Sequence, residues 1–364
     1  MIIERKQAKL EDYTMLRVIG ILLVILAHAT HGYTTGWVYE CTVKSDFFRR
    51  LTRYVYSFHM PLFLFISGGV YYFCRKTLKK YDNLGGFLLN KSKRLLIPYI
   101  FVGCFYLVPI RMYLNICTHP GITYFHALFN QIIRVQIPGG LWYVVMLFNV
   151  FILFRIFEKW FDSNPFITNI LIFAFLYYRS PKITNQYQIS RTCFHIVYFY
   201  LGYYFEGHKQ QILTYINKLK YPFVTFFITH FICFVFMRKC LRNPYPYFSW
   251  RMFNLGFRIM VPVLGIAFCY LGVIHILEKK PNLIHNSKVK FIDKNNFIIY
   301  LFHEPIIYLL LSKLYFRNMN SFLVVFICFT VSFTLCCILA FIITKSRILS
   351  FLTGNKYKKR SDTI

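Results

Sequence analysis

The chain has 364 residues, 57% of them hydrophobic and only 15% charged, where an ordinary soluble domain carries roughly a quarter. Its 43 Lys and Arg against 13 Asp and Glu give a net charge of +30, but they punctuate apolar runs instead of forming one patch, which argues against a nucleic-acid partner. Eleven Cys are scattered with no CxxC pair, so no zinc site or disulfide framework is indicated and no metal is expected.

A spanning helix needs about 20 mostly apolar residues. Ten segments qualify: 15–32, 54–73, 95–114, 140–157, 221–237, 257–277, 297–316 and 322–344, with shorter ones at 166–178 and 194–205. The expected fold class is therefore all-α, a polytopic transmembrane helix bundle forming a single membrane-embedded domain over 1–364. No cleavable leader stands out, because the first apolar run reaches Ala29 and is followed by His31, Gly32 and Tyr33. Lys and Arg concentrate in alternate connections, notably 75–94, 279–294 and the basic tail 345–364. By the positive-inside rule both termini are expected to be cytoplasmic, including a short tail over 1–14. The connection from Arg238 to Arg258 dissents, with five basic residues on the outer side and a turn-rich Asn243-Pro244-Tyr245-Pro246-Tyr247 run.

Ionisable residues inside spans are expensive and are functional candidates. In the first segment Arg17 and His28 are eleven residues apart, which returns them to nearly one helix face. His28 fits a general base acting on a hydroxyl and equally an interfacial histidine. The second segment holds His59, Pro61 and Ser67-Gly68-Gly69: a kink at the proline, close helix approach at the glycines, and a histidine that is either catalytic or only hydrogen-bonded. Lys91, Lys93 and Arg94 enter the third segment ahead of Pro98. They read as a cytoplasmic anchor or as a seat for the phosphates of an anionic cofactor. Late in the chain come His303, Glu304 and Pro305. Glu304 should face the bundle interior, paired with a His or Arg of another helix, and Pro305 suggests a broken helix.

Together these pieces resemble the acyltransferase-3 family of membrane O-acyltransferases, particularly its fucose O-acetylase and polysaccharide acetyltransferase branch. The resemblance rests on the Arg17 and His28 pair, FHMPLFLFISG from Phe58 to Gly68, Lys91 and Arg94 with Pro98 and Tyr99, GGLWYVVML from Gly139 to Leu147, and YLFHEPI from Tyr300 to Ile306. Between about 164 and 289 it adds little beyond hydrophobicity. Two positions depart: Thr14 stands where the family often has Asp, and Lys91 where Arg is frequent.

The resemblance implies acyl transfer at His28, with Arg17, Lys91, Lys93 and Arg94 on the acyl-CoA donor, acetyl-CoA foremost. His59, His303 and Glu304 are the further catalytic candidates, and Ser67 and Trp142 the expected substrate contacts. The implied reaction moves an acetyl or other short acyl group to a hydroxyl of a cell-surface polysaccharide or its lipid-linked glycan precursor, in a bacterial plasma membrane and among its lipids. The competing reading is a transporter or flippase for a glycan or small anion, which shares buried carboxylates and basic vestibules.

Overall fold

In the computed structural model, which describes residues 11–117, 121–136, 138–242 and 248–355, each of the ten expected segments lies on a helix. No strand occurs among the described residues. The principal helices are α1 (Glu11–Ala29), α2 (Asp46–Thr77), α3 (Leu84–Tyr113), α4 (Gly139–Ser163), α5 (Phe166–Arg179), α6 (Ile189–Gly207), α7 (Pro222–Arg242), α8 (Phe248–Lys279), α9 (Ser287–Leu311) and α10 (Ser321–Lys345). The fold is an all-α polytopic helix bundle. Among the described residues, seven of its helices, all but α5, α6 and α9, are long and apolar enough to cross a membrane by themselves. Helix α5 has only 14 residues, α6 is diluted by its tyrosines, and α9 carries Asn295, Asn296, His303 and Glu304 along its length.

The structure changes two expectations about local shape. Helix α9 runs unbroken through Pro305. The turn is supported from neighbouring helices, since the Tyr106 hydroxyl donates to the Phe302 carbonyl at 3.0 Å and Ser332 to the His303 carbonyl at 3.1 Å. The basic stretch from 238 to 258 is largely helical, formed by the end of α7 and the start of α8. Its Asn-Pro-Tyr-Pro-Tyr run lies outside the described residues, as do residues 1–10 and 356–364 of the terminal tails.

The chain divides into two compact units. Unit one comprises Met1–Leu23, Arg53–Lys80 and His195–Asp293. Here α2 breaks after Tyr56 and resumes at His59, placing Pro61 in a first helical turn where its missing N–H costs nothing. Gly68 then packs on the Phe199 carbonyl, and Gly202 of α6 packs on the Phe65 carbonyl. This reciprocal contact leaves no room for a Cβ on either side, which explains the small residues of the Ser-Gly-Gly run. Gly202→Ala is expected to cost about 1–3 kcal/mol through overpacking. Thermal unfolding in detergent measures it, and an unchanged midpoint would show that the crossing gives way freely.

The same unit buries a compensated charge cluster. Lys209 Nζ lies 2.6 Å from Asp12 Oδ2 and 3.6 Å from Glu206 Oε2. The Tyr270 and Tyr13 hydroxyls donate to the same two carboxylates at 2.7 and 3.0 Å.

Unit two comprises Val24–Thr52, Tyr81–Phe194 and Lys294–Ile364. Within it α3 contains two π turns, Ser92–Leu96 and Gly103–Leu107, ahead of Pro98 and Pro109. A proline has no N–H for the α ladder, and the residues just before them, Ile97 and Val108, reach back five positions to the Ser92 and Gly103 carbonyls. Each π turn adds one residue and re-aims everything after it, Arg111 included.

Candidate active site

Unit two gathers ionisable side chains from α1, α3 and α9 against the first turn of α4. His28 occupies the last turn of α1. Its Nδ1 lies 2.9 Å from the Val24 carbonyl, which can only accept, so Nδ1 carries the proton in the neutral ring. The same reasoning puts the His303 proton on Nδ1, 2.7 Å from the Tyr300 carbonyl. His303 Nε2 is then an acceptor, 3.3 Å from His28 Nδ1, and the two rings meet edge to face at 4.8 Å. The lone pair of His28 is left at Nε2, and this atom lies 3.9 Å from Glu304 Oε1.

Glu304 is held from several sides. The Tyr308 hydroxyl, one turn further along α9, donates to Oε1 at 2.6 Å, and the Gly140 N–H donates to Oε2 at 2.6 Å. Bonds this short suit an ionised acceptor. Gly140 lies at the N-terminus of α4, where unsatisfied N–H groups and the helix dipole favour a negative charge. Gly139 has φ +54°, and a Cβ on either glycine would run into Arg111 or Glu304. The paired glycines thus let a carboxylate approach bare backbone. The buried Arg111 acts electrostatically on both Glu304 and Tyr308, and its Nη1 donates to the Gln131 carbonyl oxygen at 2.8 Å. Tyr300 donates to the Gly140 carbonyl, closing the contact between α9 and α4. On the other flank His31 stacks on Trp37 at 4.8 Å, and Trp37 packs on Tyr308 at 5.4 Å.

Chemically, this is an imidazole with its lone pair turned toward a buried carboxylate.

A family model described as an acyltransferase domain (acyltransferase 3) matches residues 10–341. The chain belongs to the acyltransferase-3 family. It is a membrane acyltransferase. None of the curated proteins and none of the solved structures matches the chain.

Of the residues singled out from the sequence, the acyltransferase brings His28, His303 and Glu304 together in unit two. Lys91, Lys93, Arg94 and Trp142 belong to the same unit but make other contacts. The Lys91 ammonium sits 3.5 Å over the Phe151 ring, while the Lys93 and Arg94 side chains are exposed. Trp142 carries the Arg191 guanidinium at 4.6 Å. His59, Ser67 and Arg17 belong to unit one. His59 is buried with Nδ1 2.9 Å from the Val55 carbonyl, and Ser67 donates to the Phe63 carbonyl at 2.8 Å. Arg17 binds Asp293 through both carboxylate oxygens, at 2.6 and 3.2 Å, and Thr14 at 3.1 Å. The carboxylate that Thr14 does not offer is thus supplied by α9.

Arg111, Gln131, Tyr308 and the Gly140 N–H were not singled out beforehand. Arg111 belongs to no motif of the sequence, although its VPIRMY surroundings are mostly apolar and Glu304 called for a basic partner.

Proposed function

We propose that this membrane acyltransferase moves an acetyl or other short acyl group from acyl-CoA to a hydroxyl of a cell-surface polysaccharide or its lipid-linked precursor, with His28 as general base. The observation that carries the reading is His28 Nε2 facing the buried Glu304 carboxylate at 3.9 Å. As the acceptor oxygen attacks the thioester carbonyl, its proton passes to Nε2. The carbon–sulfur bond then breaks, the thiolate takes the proton back from the imidazolium, and ester and free thiol leave. The carboxylate beside Nε2 supplies a countercharge for the proton in transit. The Val24 carbonyl and His303 hold the ring at Nδ1, and the Tyr308 hydroxyl and Gly140 N–H hold Glu304 in place.

In this proposal the donor is acyl-CoA, whose phosphates cannot enter lipid and dock at the exposed Lys93 and Arg94 on the cytoplasmic side, with both chain ends on that side of a bacterial plasma membrane. Mass spectrometry of surface polysaccharide from cells with and without the gene tests the reaction. One added acetyl mass per repeat unit is expected in cells that carry it, a different added mass would name another acyl group, and identical spectra would overturn the polysaccharide acceptor.

A further inference from the structure

The segment that joins the base cluster to α4 also lines a second, polar cavity. Gln131 bonds Arg111, Gly140 bonds Glu304, and between them Arg134 and Gln136 form one wall of a cavity of about 370 Å³. Thr184, Asn185 and Gln186 form the opposite wall. Gly140 follows Arg134 by six positions, a stretch of chain that spans at most about 20 Å, so the cavity lies within a short oligosaccharide's reach of Glu304.

Its walls are held in a conformation that no ordinary connection requires. Val135, between the two residues of the first wall, has φ +55°, and Tyr187 and Gln188, just after the second, have φ +51° and +61°. None is glycine, and left-handed backbone is disfavoured for every L residue, most of all for β-branched valine. The strained segments are tied together, because the Gln188 amide donates to the Val135 carbonyl at 3.2 Å. Asn149 of α4 donates to the Tyr187 carbonyl at 2.8 Å, and Arg191 donates to the Gln188 side-chain oxygen at 3.0 Å. Strain over-determined in this way is characteristic of ligand clamps.

The lining then names the ligand. Three amides and a hydroxyl offer donors and acceptors in near-equal numbers, matching sugar hydroxyls, which need both. Arg134 is exposed and rests near the Phe129 ring with its guanidinium carbon 5.5 Å from the centroid, so its charge is presented to solvent and, among the described residues, is not spent on a carboxylate. We infer that this cavity is the acceptor subsite and that it holds an acidic saccharide unit, its carboxylate on Arg134 and its hydroxyls on Gln136, Thr184, Asn185 and Gln186, next to the unit that is acylated. The inference rests on the acyl-transfer reading for its purpose, though not for its chemistry.

Equilibrium binding of labelled trigalacturonic acid and of neutral maltotriose to the purified full-length protein in detergent tests it. Wild type is expected to bind the acidic trisaccharide more tightly. Arg134→Gln should weaken that binding by about ten- to a hundredfold, the worth of a charge-assisted bond, and leave maltotriose nearly unchanged. Asn185→Ala with Gln186→Ala should weaken both sugars. No binding of trigalacturonic acid by wild type, or equal binding by wild type and R134Q, overturns the subsite. Saccharide binding that depends on Arg134 in a protein that forms no ester would sink the reaction and leave the subsite standing. Ester formation with an acceptor KM unmoved by R134Q would do the reverse.

Discussion

In membranes carrying a His28→Ala variant, acyl transfer is expected to fall by a factor of about 10²–10⁴, the contribution of a positioned general base. The loss should appear in kcat, because the proton is transferred only in the transition state. The substitution removes Nε2, the atom that lies 3.9 Å from the Glu304 carboxylate. Substrate binding and the thermal midpoint are the controls, since Val24, His303 and Glu304 stay in place without the ring. Undiminished acylation in a folded H28A protein would remove His28 from the mechanism. In the wild-type site His303 is not placed as the base, because its Nδ1 proton is committed to the Tyr300 carbonyl and its Nε2 faces the His28 ring.

Arg111→Met is expected to produce the largest loss of stability, about 3–5 kcal/mol, because it strips a buried carboxylate of its fixed positive partner. Adding Glu304→Gln to the same chain should recover a large part. A neutral amide needs no countercharge, its oxygen still accepts the Gly140 N–H, and its NH₂ can donate to the Tyr308 hydroxyl oxygen. The pair thus forms a double-mutant cycle, read from thermal unfolding in detergent, with a coupling that should exceed the few tenths of a kcal/mol of independent sites. Additive losses, or an R111M protein that melts like wild type, would show that Arg111 does not hold Glu304. Activity separates the two roles: the double variant is expected to fold yet turn over slowly, since His28 then has no carboxylate to stabilise its charged form.

The parts of this arrangement that were legible in the sequence share one property, an ionisable or kink-forming side chain inside an apolar run. His28, His303 and Glu304 stand out because lipid makes them costly anywhere but in a packed interior. Gly68 stood out because small residues in a spanning helix imply backbone contact, and the Phe199 carbonyl is what it meets. Arg111 did not, because it sits near the end of α3, where a basic residue also serves as an interfacial anchor, and only the π turns decide which way it faces. Tyr308 was hidden among 29 tyrosines. The Gly140 N–H could not be read at all, since a main-chain donor has no residue type. Helix α9 shows the converse: the groups that give it chemical interest pull it below the apolarity expected of a spanning segment.

His28 and His303 are separated by 275 residues of chain. At roughly 5–20 residues per second, a ribosome that has made the first needs about a quarter of a minute to a minute to reach the second. Throughout that interval most of the helices enter the membrane while the imidazole has neither its ring neighbour nor its carboxylate. A nascent or truncated chain lacking α9 therefore has the histidine without the two groups that lie against it. The cluster is complete only when the penultimate principal helix is laid in, so this site is assembled late in synthesis.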